Sequence, residues 1–290
     1  MKTAVLTVLF CTACTLYAQD SLQQQATKPA PADTSVWKHS LILSANVTQV
    51  SFSDWAQGGE NSLAYGLFAE GKSIYAPEPI NWEIHYKFGY GQAKLGSQAI
   101  RKTDDQIDVG TVLTYKLGAI INPYASASLL TQFAKGFTYD AAGVATPVSN
   151  YFDPAYLTQA VGVGYQPAPE VKTRLGAALR EILTKVYTQY SDDPATTSEK
   201  EKTRIEGGAE SVTEVGWEFA QNIVLNAKLN VFVPVKNTHL TVIRSDNTLS
   251  AKVNKFLAVN LNVLLINDPQ VQLRTQAKQT LALGFSYTLL

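Results

Sequence analysis

Cysteine is almost absent from this chain. Its only two, Cys11 and Cys14, fall in the first eighteen residues, MKTAVLTVLFCTACTLYA. That segment has one lysine at the start, an apolar middle and a small residue, Ala18, before Gln19. This is the pattern of a secretory signal peptide cleaved after Ala18, and the segment is too short and wrongly flanked for a transmembrane helix. A lipoprotein reading through Cys14 is the alternative, against which Cys11 stands where a leucine-like residue is expected. Once the segment is removed, the mature chain has no disulfide, no thiol nucleophile and no cysteine metal ligand.

Other shortages exclude further classes. No apolar run reaches the roughly 20 residues that a membrane helix needs. The full chain carries 24 Lys+Arg against 24 Asp+Glu, and loss of Lys2 leaves a net charge of −1, so nothing points to a nucleic-acid partner. The three histidines, His39, His85 and His239, are scattered and form no HExxH spacing, and no GxSxG is present. Asp104 with Asp105, and Asp192 with Asp193, could pair as carboxylates of an outer-membrane protease, with His239 as partner. They stand at loop edges, where solvated acidic pairs are common. The expectation is a protein that is not an enzyme, with no catalytic residue, cofactor or metal site.

What the chain has in quantity is alternation. After a polar, proline-bearing leader at Gln19 to Val36, period-two patterning dominates from Trp37 onward. In NIVLNAKLNVFVP, Ile223, Leu225, Ala227, Leu229, Val231 and Val233 share one face, with Asn222, Asn226, Lys228 and Asn230 on the other. The same reading gives twelve strands: about 39–52, 60–75, 80–93, 104–117, 122–138, 154–165, 170–186, 203–219, 222–234, 240–253, 256–266 and 275–290. Many are far longer than the usual strand of about 5 to 6 residues, which suits a wall crossing something thick. Connections after even strands are tight (APEP, GAII, PAPE, AQN, NK), whereas those after odd strands are mostly longer and polar. The expected fold is therefore all-β: a transmembrane antiparallel up-and-down β-barrel of about twelve strands, in the bacterial outer membrane, with both termini periplasmic.

Two features favour lipid over a soluble barrel or sandwich. Charges and glycines sit on the polar face of nearly every strand, and Tyr75, Trp82, Tyr115, Tyr165, Trp217, Phe219 and Tyr287 gather at the short-turn end as an aromatic girdle would. Outer-membrane lipid is then one partner. The last strand, LALGFSYTLL, resembles with Gly284, Tyr287 and Leu289 the C-terminal signal read by the barrel assembly machinery, although Ala282 replaces the polar position and the chain ends in Leu290.

If the polar face lines the lumen, Glu206, Glu210, Glu214 and Glu218 project from one strand, and Lys172, Arg174 and Arg180 from its antiparallel neighbour. Cross-strand ion pairs between them are expected, Arg174 with Glu214 among them. The same face supplies Glu70, Lys72, Glu83, His85, Lys87, Asp108, Lys116, Lys228, Arg244, Asp246 and Lys252. Such a network either lines a narrow path or fills and closes the lumen, and a barrel of this size fits both.

The remaining motif is SFSDWAQGGENSLAYG. Gly58 and Gly59 suit a sharp reversal, and Asp54 and Asn61 can cap it through local hydrogen bonds. Trp55 exceeds what a turn needs and is expected to tuck over the barrel mouth, with Gln57 and Glu60 bonded to loop backbone. The stretch FSDWAQGGENSLA, with its Trp-x-x-Gly-Gly-x-Asn core, together with NPYAS, LLTQFAKGFTYD and VNKFLAVNLNVLLIND, resembles a family of outer-membrane β-barrels from Bacteroidota labelled a domain of unknown function. The resemblance implies a barrel and supplies no activity. The functional expectation is a structural scaffold or narrow solute channel; an outer-membrane hydrolase and a soluble secreted β-barrel binding an apolar ligand stay open beside it.

Overall fold

The computed structural model describes residues 36–53, 59–118, 120–193, 199–254 and 257–288. The expected signal peptide, the leader up to residue 35, and Asp54, Trp55, Gln57 and Gly58 of the first loop lie outside the described residues.

Twelve long strands form one closed antiparallel barrel. They are β1 (Trp37–Val50), β2 (Ser62–Tyr75), β3 (Ile80–Leu95), β4 (Arg101–Tyr115), β5 (Ile121–Thr131), β8 (Ala155–Ala168), β9 (Val171–Leu183), β10 (Thr203–Ala220), β11 (Ile223–Pro234), β12 (Val242–Lys252), β13 (Leu257–Asp268) and β14 (Gln272–Thr288). Each wall strand pairs with its neighbours in sequence, β5 with β8 across the intervening hairpin, and β14 returns to β1. That hairpin, β6 (Gly136–Tyr139) with β7 (Ala145–Ser149), is a separate two-stranded sheet at the long-loop end.

Here the structure departs from the sequence reading, which runs one strand through 122–138. β5 ends at Thr131 because the Asp105 carboxylate takes the next backbone donors, with Phe133 N–H at 2.7 Å and Ala134 N–H at 2.8 Å. A strand whose N–H groups bond a side chain cannot continue the ladder. The chain instead folds back through Asp140–Val144, where the Asp140 carboxylate accepts the Val144 N–H at 2.8 Å and Gly143 supplies φ +80°.

Period-two alternation now has a direction. Val161 and Leu281 are 62% and 71% exposed on the outer face, while Arg180 and Glu210 are 7% and 6% exposed on the inner one. In water such an arrangement would strand apolar area that a soluble barrel turns inward. In a bilayer it is the stable one, because lipid receives the apolar wall and every strand finds a partner around the closed sheet. No helix among the described residues is long and apolar enough to cross a membrane.

Aromatic side chains mark the short-turn end. Trp37 meets Tyr75 and Trp82 at centroid distances of 5.2 and 5.4 Å, and Trp217 meets Phe219 at 5.4 Å. The Trp82 indole N–H donates to Thr111 Oγ1 at 2.6 Å, so the ring is apolar outward and satisfied at its polar edge. On the inner face, the Phe68 ring lies across Gly66 and Gly89, where an added Cβ would come within 2.8 and 3.0 Å. Glycine on the wall is what lets a lumenal ring lie flat against it.

Candidate functional site

The lumen is the site that the residues build. On β9 and β10 the antiparallel register sets Glu206 opposite Arg180, Glu210 opposite Gly176 and Glu214 opposite Lys172. Arg174 Nη2 donates diagonally to Glu214 Oε1 at 3.1 Å, and Lys228 of β11 stands 4.0 Å from the same oxygen. The rest of the expected ladder is not made between these two strands. Lys172 lies 3.6 Å from Glu83 Oε2 on β3, and Arg180 donates to Asp268 Oδ2 on β13 at 3.0 Å. Glu206 accepts from Gln270 Nε2 at 2.9 Å and Glu210 from Asn230 Nδ2 at 2.7 Å. Glu218, opposite Val224 at the short-turn end, is exposed.

The physical reason is reach. Long basic side chains span the lumen to carboxylates on the far wall, and a half-buried carboxylate without a cation costs more than a displaced neighbour contact. Two further pairs cross in the same way. Lys87 on β3 bonds Asp246 on β12 at 3.4 Å, and Lys278 on β14 bonds Asp104 on β4 at 2.7 Å. Glu83 is shared, with Lys72 at 2.6 Å on its other oxygen, and His85 Nε2 stands 3.6 Å from Asp108. Lys116, expected on the lumenal face, is instead exposed just past β4, 3.8 Å from Glu78.

Between these bridges lie cavities. One of about 460 Å3 near the short turns is lined by Lys72, Glu83, His85, Glu170 and Lys172. A second, of about 390 Å3, has a wall of amides and hydroxyls including Asn46, Thr248, Ser250, Asn260 and Asn262. A third of about 390 Å3 lies around Arg180, Phe232 and Arg244, and a fourth of the same size opens among Lys102, Gln132 and Phe137 at the long-loop end. Lys87 and Asp246 line both of the first two, and Asp104 and Lys278 both the second and the fourth.

Above them, three loops are tied together, which sequence reasoning missed. Asp153, 2% exposed in the β7–β8 connection, accepts backbone N–H groups of Lys185 at 3.1 Å, Val186 at 2.8 Å and Tyr187 at 3.4 Å from the β9–β10 loop. Gln132 Nε2 donates to the Asp153 carbonyl at 2.8 Å. Ser191, fully buried, bonds Thr184 Oγ1 and the Glu201 carbonyl, each at 2.6 Å. Arg204 donates to the Asp192 carbonyl and to Gln270 in the β13–β14 turn. The sequence offered no local sign of this, because each partner of the Asp153 carboxylate is 32 to 34 residues away.

The first-loop residues that are described behave as turn-builders. Asn61 Oδ1 accepts the Phe52 N–H at 2.7 Å, its carbonyl accepts the Gly96 N–H at 2.7 Å, and Gly59 has φ +140° under the Phe52 ring. Glu60 packs its carboxylate against Gly96.

The acidic pairs are engaged in structure. Asp104 holds Lys278, Asp105 holds Lys102 at 2.8 Å besides its two backbone donors, and Asp192 Oδ1 accepts the Glu201 N–H at 3.0 Å. His39 bonds Ser73 at 2.9 Å, and His239 sits in a short 3-10 turn, Thr238–Leu240. No group of three or more metal-ligating side chains is assembled among the described residues.

Residues 47–137 match the model of a family described as "Protein of unknown function (DUF3078)". No curated protein matches the chain in sequence. Among solved structures, the chain is similar to the translocator domain of the autotransporter NalP from Neisseria meningitidis, at 11% identity over 86% of each chain and a TM-score of 0.39. It is also similar to the beta domain of the Bordetella autotransporter BrkA (11% identity, 87% of this chain and 99% of that, TM-score 0.36). An outer membrane channel from Pseudomonas putida F1 aligns at 10% identity over 86% of this chain and 93% of that, with a TM-score of 0.38.

Proposed function

We propose that the chain is an outer-membrane barrel whose polar lumen is a narrow path for small solutes, interrupted by ion pairs that span it. The observation that carries this reading is that successive lumenal cavities share lining residues, among them two ion pairs that cross the lumen, Lys87 with Asp246 and Lys278 with Asp104. Such pairs part at the cost of two side-chain movements and rehydrate as they do so. The apolar outer wall and the aromatic band support the membrane placement. The secretory pattern of the first eighteen residues supports export, and Gly284 with Tyr287 supports recognition by the assembly machinery. Engaged carboxylates and dispersed histidines support a non-enzymatic role.

A second reading has its own support: the four cross-lumenal pairs brace opposite walls, as a closed scaffold would need. Planar-bilayer recording separates the two. The channel reading expects small steps from the wild-type protein and larger ones from Lys87→Ala/Asp246→Ala; silence from both, with the barrel folded, overturns it.

A further inference from the structure

We infer that the cavity beneath the tied loops binds a small organic carboxylate, held at its charged end by Arg180 and Arg244. Every carboxylate around this space already has a protein partner. Asp268 takes Arg180 Nη2 at 3.0 Å and the Gln270 N–H at 3.1 Å, and Asp246 takes Lys87 at 3.4 Å and Asn262 Nδ2 at 2.7 Å. Glu210 takes Asn230, and Asp108 stands beside Gln106 and His85.

The bases are not spent in the same measure. Arg180 is 7% exposed, and its Nη1 is buried without a hydrogen-bond partner. The Arg244 side chain makes no hydrogen bond and no ion pair among the described residues, with Asp108 and Asp246 in electrostatic reach. A guanidinium carries five N–H donors in a planar fork and no acceptor, so an acceptor in this cavity meets more open donors than a cation meets open oxygens. Buried donors of this kind are ordinarily matched.

The remaining wall fixes the rest of the ligand. The Arg180 guanidinium lies over the rings of Tyr156 and Phe232, 5.3 and 5.9 Å from their centroids, and these contacts favour one placement of the fork. Phe232, Val242, Ile266 and Val271 give the same cavity an apolar side. A bare phosphate would leave that side unfilled, whereas a carboxylate on a compact apolar body covers both halves. The volume of about 390 Å3 lies at the small end of ligand sites. The inference rests on the channel reading in one respect, that solutes reach this depth from the long-loop mouth.

The test uses the full chain folded in detergent, its fold checked by heat-modifiable migration, and titrates it calorimetrically with benzoate, benzyl alcohol and inorganic phosphate. Benzoate should bind at least about tenfold tighter than either control, Arg244→Gln should weaken it by about tenfold or more, and Arg244→Lys should recover part of the loss. Lys116→Gln, exposed just past β4 and outside the lumen, should leave it unchanged. Equal binding of benzyl alcohol, undiminished benzoate affinity in the glutamine variant, or a folded wild type that binds none overturns the site. If the glutamine variant does not assemble, the lysine variant decides, because it keeps the charge and loses the fork: unchanged affinity overturns the site. Bilayer recordings run beside it keep the two readings apart. A barrel that conducts without binding or being blocked by benzoate loses this site alone, and a silent barrel that binds benzoate loses the channel alone.

Discussion

At the scale of single residues, the informative positions are charges whose partners are distant. Arg174 and Glu214 meet at 3.1 Å on adjacent strands, with side chains 14% and 27% exposed. Reversing either charge alone should destabilise the barrel by about 1 to 3 kcal/mol, and reversing both should restore most of it. Purely additive losses in a double-mutant cycle would remove the pair from the account. Asp153 is a sharper case, because one carboxylate holds three backbone donors of another loop. Asp153→Ala removes the shared acceptor of those part-buried donors, which water can replace in part, so the loss should be about 1 to 3 kcal/mol in all. The expected result is rapid amide exchange at 185–187 while exchange in β9 and β10 stays slow, and protection that persists at 185–187 would contradict the role. Of these two features the pairing of Arg174 with Glu214 was readable, since alternation fixes the face and antiparallel order brings the strands together. Asp153 was not, because a loop aspartate before proline carries no mark of a partner about thirty residues onward.

At the scale of elements, alternation placed all twelve wall strands to within a few residues at most ends, since a wall with lipid on one side and polar groups on the other forces period two along its length. It failed at 122–138, where Gly136-Phe137-Thr138-Tyr139 alternates as well as any wall strand yet pairs with β7. The deciding interaction, Asp105 with the Phe133 and Ala134 N–H groups, is a tertiary one and leaves the local pattern intact. Because β6 and β7 pair only with each other, replacing 136–149 by a short glycine-serine linker should leave heat-modifiable migration unchanged. The same replacement should raise single-channel conductance, because Phe137 and Tyr139 help line the mouth cavity. A closed or unfolded product would show that the hairpin is part of the wall's stability.

At the scale of the whole molecule, an apolar exterior around a charged interior is a statement about solvent. The full chain should fractionate with outer membranes and migrate faster unheated than boiled, and recovery as a soluble monomer would refute the arrangement. The ring has one weak place. Along the β1–β2 ladder pairing runs from Trp37 with Tyr75 to Val50 with Ser62, whereas β1 meets β14 over Ile42–Ala45 and Phe285–Thr288 among the described residues. Every other rung joins neighbours in the chain or spans one hairpin, and forms locally; this one joins ends more than two hundred residues apart, so it carries the largest loop-closure cost. Until that rung forms, the molecule is a curved ribbon with two unsatisfied margins, each able to recruit another chain. Gly284 stands where any Cβ would come within 2.6 Å of the Ala45 carbonyl oxygen. Gly284→Val should therefore tell at birth and afterwards: fewer ribbons should seal, more should aggregate, and those that do close should part at this seam at lower temperature than the parent.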